Sequence, residues 1–370
     1  MLKNLSAINE NFLLLNLIAA TALISGIGIY GTTIPLFLLS IIFISLNYRK
    51  IDIDRGQVMA ALFFLAYIFI VINISSNLTK IFKNIYFWFN FLFLYQVLII
   101  AKKEGIKLNI VLIIKSLIYY IIFESIIINI NFDSNILNPN SNELKVMLYD
   151  YSYERPLGHA GNATASSIQL TIIYLYAYVL KIIKFRSLIT LLYILSILLL
   201  SSGTGFYSLV ISTLYIFIIN NRLNSKTFII ILSILIIYLL LILNIDLNFN
   251  SKLSYEYLVI IFNDKYQQIN NLSNLNGLEL FFGNQITDVP LATSGDFGWR
   301  ILFTSLGAIG LISTVIFVIT FYRSNRNNLG LIILFILLSI HYPAMYMAFG
   351  SLLFAMLLVG FSSGVHKTYE

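Results

Sequence analysis

The chain has 370 residues and no cysteine. Disulfides, thiolate nucleophiles and cysteine-held metals are therefore excluded. Its three histidines, His159, His341 and His366, lie far apart in the chain, and no HExxH or comparable zinc spacing occurs. Glycine-rich phosphate loops are missing too, which argues against nucleotide hydrolysis on the chain itself. Charge is scarce: 11% of residues are Asp, Glu, Lys or Arg, against about 25% in soluble domains. No internal repeat is visible, so an inverted-repeat transporter gains no support.

What fills the chain instead is apolar. Hydrophobic residues make up 59% of it and the mean hydropathy is +0.88. The runs Phe12–Ile29, Val58–Ile72, Leu108–Ile122, Thr227–Leu243 and Ile301–Thr320 each approach the ~20 residues that cross a hydrocarbon core. This pattern predicts an all-α fold: one polytopic integral membrane domain over residues 1–370, with about 11–12 transmembrane helices. Spans are expected near 11–30, 33–47, 57–73, 82–101, 108–130, 162–180, 187–200, 204–220, 227–245 and 301–321, followed by an apolar region over 329–361. That last region would be roughly 50 Å long as one helix, and Pro343 interrupts it beside His341. Two short spans meeting outside fit it better than one kinked helix. The first apolar run is too long, and lacks a small-residue cleavage site, to be a removed signal peptide.

The net charge of +7 follows from topology and needs no nucleic-acid partner. One set of alternate loops, including those with Arg49, Lys50, Lys102, Lys103, Lys181, Arg323 and Arg326, holds 14 basic residues, and the other holds 7 over much more chain. The positive-inside rule then places the N-terminus and the short basic loops in the cytoplasm. Two longer polar loops, about 131–161 and 246–300, face outward.

The first of these ends in Tyr153-Glu154-Arg155-Pro156-Leu157-Gly158-His159-Ala160-Gly161-Asn162-Ala163. Pro156 and the glycines set a turn and allow close backbone approach. Asn162 is placed to cap the next helix, whose first amides favour an anion. The planar fork of Arg155 suits a phosphate, although Glu154 or membrane lipid headgroups also suit Arg155 as partners. Ser202 and Thr204, in Ser201-Ser202-Gly203-Thr204-Gly205, offer hydrogen bonds to sugars or simply let two helices pack closely. The second loop ends in Ser294-Gly295-Asp296-Phe297-Gly298-Trp299-Arg300. Asp296 is the carboxylate there placed to act as a base, while Trp299 and Arg300 suit either a substrate or an interfacial anchor. Within the spans, Lys115 and Glu124 share one expected helix half a turn apart, so they do not pair. Lys115 can snorkel to the cytoplasmic side, and Glu124 is the buried ionisable candidate.

At these residues the chain resembles the polytopic glycosyltransferases that polymerise or ligate polyprenyl-linked glycans, the O-antigen polymerase (Wzy type) and ligase superfamily. Three stretches carry the resemblance: "RPLGHAGNA" (Arg155–Ala163), "LLLSSGTGFYSLVIS" (Leu198–Ser212) and "SGDFGWRILFTSLGAIGLI" (Ser294–Ile312), the last with Gly307 and Gly310 in a Gly-x-x-Gly spacing. The ligase pattern has His-Asn where this chain has Gly295-Asp296, which favours polymerase over ligase. The resemblance implies a substrate of undecaprenyl-diphosphate-linked oligosaccharide repeat units in the outer leaflet of a bacterial inner membrane, with the active face periplasmic. It also suggests a separate polysaccharide chain-length regulator as partner. No metal and no soluble cofactor are implied.

In that chemistry an acceptor sugar hydroxyl attacks the anomeric carbon of the lipid-linked chain, and charge grows on the departing diphosphate. Arg155 is the first choice to receive that charge and Arg300 the second. Asp296, His159 and Glu124, in that order, are the candidates for the base. Glu154, Gly158, Asn162, Ser202, Thr204 and Trp299 are the candidate substrate-binding positions. The rival readings are a lipid-linked oligosaccharide flippase or polysaccharide transporter, an O-antigen ligase, and an O-acyltransferase that would use His341. A flippase needs charged residues along several helices, whereas Lys115 and Glu124 stand nearly alone at depth.

Overall fold

A computed structural model describes residues 2–24, 33–74, 78–129, 156–184, 187–200, 202–219, 263, 266, 277–283, 298–323, 326–339 and 344–361. The described elements are all helical: α1 Leu2–Ile24, α2 Thr33–Leu46, α3 Arg55–Ile74, α4 Leu78–Lys103, α5 Ile110–Asn129, α6 Ala163–Val179, α7 Leu188–Leu199, α8 Gly203–Ile219, α9 Gly277–Phe282, α10 Gly298–Phe321, α11 Arg326–Leu338 and α12 Ala348–Val359. The expected span at 227–245 lies outside the described residues. The apolar region near the C-terminus forms two helices, α11 and α12, with a single 3-10 turn at Ala344–Tyr346 before α12.

The chain divides into two compact units, Met1–Ile110 with Gln268–Glu370, and Val111–Gln267. Each has its own central helix. In the first unit α12 is buried at every residue from Phe349 to Val359, as expected for a helix that is apolar all round. It packs on α4, and Phe91 of α4 meets Phe317 of α10 at 5.4 Å and Phe354 of α12 at 5.6 Å. Gly360, at φ 62, ends α12 in the left-handed conformation that returns the Phe361 amide to the Met356 carbonyl at 3.1 Å. In the second unit α6 is buried from Ala165 to Ala177 and packs against α8. Hydroxyls tie its neighbours to it: Tyr193 reaches Thr171 at 3.0 Å and Ser212 at 3.4 Å, and Tyr174 reaches Thr190 at 2.9 Å. The Tyr174 and Tyr193 rings stack with centroids 4.1 Å apart.

Two helices are long and apolar enough to cross a membrane, Arg55–Asn73 and Ile110–Ile127; seven shorter apolar helices accompany them among the described residues. Only 33% and 50% of the most apolar stretch of these two helices is buried. Phe69 on α3 is 69% exposed, and Leu112, Phe123 and Ile126 on α5 also point outward.

Several ionic groups of the first unit gather together. Arg323, just beyond α10, donates to Asp52 at 3.0 Å, to Asp54 at 3.1 Å and to Gln57 at 3.3 Å. Lys103 pairs with Asp52 at 3.0 Å, and Lys50 with Glu104 at 2.7 Å. Lys102 donates to the Val359 carbonyl at 2.7 Å, and the Arg323 amide to Leu358 at 2.9 Å. The segments that follow α2, α4 and α10 and the end of α12 therefore meet there. Asp54 also accepts from the Gln57 amide at 2.8 Å, and Gln57 answers the Asp54 amide at 3.3 Å, a reciprocal cap at the start of α3.

Candidate functional site

The stretch Pro156–Asn162 is a turn that opens α6, buried from Pro156 to Ala160, and the Leu157, Gly158, Ala160 and Gly161 amides find partners within the second unit. Asn162 is extended (φ −152, ψ 122), and its side-chain oxygen accepts from the Thr164 and Ala165 amides at 2.9 and 3.1 Å. Its capping role is the expected one. Because the cap occupies those two amides, they are not open to an outside anion. Ser166, one turn into α6, accepts from the Ala160 amide at 3.0 Å and donates to the Leu157 carbonyl at 2.8 Å. Gly158 sits at φ 72, and a Cβ there would lie 2.5 Å from the Ser166 hydroxyl, so conformation and space both require glycine.

Glu124 of α5 supplies the remaining partner. Its carboxylate accepts from the Leu157 amide at 3.1 Å and the Gly158 amide at 2.7 Å, and the residue is only 3% exposed. Two backbone amides thus take the place of a cation. His159, 2% exposed, places Nε2 2.7 Å from the Gln169 side-chain oxygen, with the nitrogen as donor when it carries the proton. Burial disfavours its charged form and holds its pKa down to about 4, against a smaller upward pull from the Gln169 bond. At neutral pH this imidazole is uncharged.

Ser202 joins the same region through its hydroxyl, 3.1 Å from that of Thr164. Gly205 lets α8 approach α6 so closely that a Cβ there would stand 3.0 Å from the Ser167 Cβ. Thr204 is the second residue of α8 and half-buried.

Of the sequence-derived candidates, then, Glu124, Gly158, His159, Asn162 and Ser202 converge on the start of α6. Glu154, Arg155 and Asp296 lie outside the described residues. Trp299 and Arg300 form the first turn of α10, and their side chains are outside the described set. Among the described residues, no three His, Asp or Glu side chains gather as metal ligands. Ser166 and Gln169 were not among the candidates. Their signal is two polar residues three apart on one helix face, in a helix that also carries Thr164, Ser167 and Thr171. No family model, no curated protein and no solved structure matches the chain.

Proposed function

We propose that the chain is a polytopic membrane glycosyltransferase of the O-antigen polymerase type, acting at the extracytoplasmic face of a bacterial inner membrane. It joins undecaprenyl-diphosphate-linked oligosaccharide units, with the lipid diphosphate as leaving group. Outward apolar side chains on α3 and α5 support a lipid environment, because a soluble protein buries helices this apolar. The gathering of the segments near residues 50, 103 and 323 with the end of α12 is what a shared cytoplasmic side requires.

The observation that carries the enzymatic reading is the fixed turn at Pro156–Asn162. Glu124 takes its Leu157 and Gly158 amides and Ser166 its Ala160 amide, while Asn162 caps the helix that follows, so the turn directly after Arg155 in sequence is fixed from several sides. On this reading the guanidinium of Arg155, the residue before the turn in sequence, meets charge growing on diphosphate oxygens, two contacts at a time. Glu124 and His159 then serve as positioning groups: both are buried and bonded within the protein. Asp296 remains the candidate to take the acceptor hydroxyl proton.

Removing the gene from its native cell tests this reading. The expected outcome is a single repeat unit on the lipid core in place of a ladder. Wholly uncapped core would instead indicate a ligase, and an unaltered ladder would refute both. Because the chain has no cysteine, single cysteines at Asn140 and Asn271 can be labelled from outside with a membrane-impermeant thiol reagent. Labelling only after the membrane is opened would invert the topology.

A further inference from the structure

α10 is two helices, not one. At Gly307 the backbone takes φ 63 and ψ −177, a conformation essentially reserved for glycine. The break separates a leading half, Gly298–Leu306, from a trailing half, Ala308–Phe321. The short helix α9 packs into the break so closely that a Cβ on Gly307 would collide with the Phe281 carbonyl and the Gly283 amide. A broken helix strands the carbonyls just before the break, because their acceptor role four residues on is lost. In lipid such groups must find a partner within the protein.

Tyr67 of α3 is that partner. Its hydroxyl donates to the Leu306 carbonyl at 2.7 Å and lies 3.3 Å from the Phe282 carbonyl, the last residue of α9. One side chain therefore binds the end of the leading half-helix and stands against the helix that fills the break. Tyr67 is 5% exposed, and Gly310 gives it room: a Cβ there would be 2.7 Å from the hydroxyl.

We infer that Tyr67 is a positioning residue that fixes the direction of the half-helix Gly298–Leu306 relative to α3. A glycine with no steric restriction is otherwise a swivel. That half-helix begins with Trp299 and Arg300 and follows Asp296 in sequence. On the polymerase reading, which the catalytic part of this inference rests on, the pin sets the direction of the half-helix whose first turn carries the second arginine.

The test uses full-length protein in liposomes in which Trp88→Phe leaves Trp299 as the sole tryptophan. Tyr67→Phe removes one hydroxyl and keeps the ring, so folding should survive. Its expected signature is a changed emission maximum and acrylamide quenching of Trp299, together with a loss of about tenfold or more in polymer formed per folded molecule. Gly310→Ala, which crowds the hydroxyl without removing it, should shift both readouts the same way by less. Unchanged quenching in Tyr67→Phe would overturn the pin. Changed quenching with undiminished polymerisation would overturn its catalytic consequence. If the parent protein forms no polymer, the functional reading fails alone, and the quenching still decides the pin.

Discussion

Asp52, in the first unit, and Glu124, in the second, are both carboxylates held by hydrogen bonds, but their donors differ in kind. Asp52 is 42% exposed and is held by Lys103 and Arg323, whose bonds and charges keep its pKa below the ordinary value; Asp54 is lowered by the Gln57 amide and by Arg323. Charges cancel there in contact with water, where such pairs stabilise little. Glu124 is buried and accepts from the Leu157 and Gly158 backbone amides. Its loss would strand two amides as well as release a loop. The comparison teaches which acid is tied to the geometry of the candidate site: the one whose partners are peptide groups of the turn after Arg155 in sequence.

The sharpest way to break the comparison is Glu124→Ala. Leaving the Leu157 and Gly158 amides unpaired should cost about 3 kcal/mol, seen as a lower Tm in detergent and faster hydrogen exchange at residues 157–160. Unchanged exchange there would remove Glu124 from its anchoring role. Gly158→Ala should come next, at about 2 kcal/mol, from the left-handed φ and the crowding at Ser166.

A pH series sharpens the contrast further. Unfolded, His159 takes up a proton near 6.5; folded, it does so only near 4. The unfolded state binds more protons between those values, so this residue's contribution is complete above 6.5 and is lost as pH falls toward 4. His159→Gln should flatten the decline in Tm across that window, and an unaltered slope would show that the imidazole is not buried neutral. The smallest effect belongs to Arg323→Ala, with a Tm drop of about 2 °C at low salt. Because Asp52 and Asp54 have lowered values, their contribution is present above 3.8 and lost as pH falls below it. The substitution should weaken that acid limb and leave the window of His159 untouched.

Much of the helix pattern was legible because apolar runs stop at Asn, Gly, Ser and basic residues. The expected 33–47, 162–180 and 187–200 end within a residue of α2, α6 and α7. α1 instead begins at Leu2, nine residues before the expected start, since a hydropathy run marks only the apolar part of a helix and Leu2–Glu10 is helical without being apolar. At the site, the Asn162 cap follows from its own sequence neighbourhood. The partnership of Glu124 with Gly158 spans 34 positions, and that of Tyr67 with Leu306 spans 239. No local period encodes contacts of that range. Gly307 and Gly310 stand in the sequence as a Gly-x-x-Gly spacing within an apolar run, and an isolated glycine costs a helix only about 1 kcal/mol. It is α9, packed into the gap, that turns one of them into a break.

The central proposal is that the segment leading into α6 acts on a departing lipid diphosphate. Purified protein in liposomes, supplied with undecaprenyl-diphosphate-linked repeat units, should build a glycan ladder and release undecaprenyl diphosphate. Arg155→Ala should abolish both while its Tm stays at the parent value. Equal ladders from the parent and the folded Arg155→Ala protein would contradict the account.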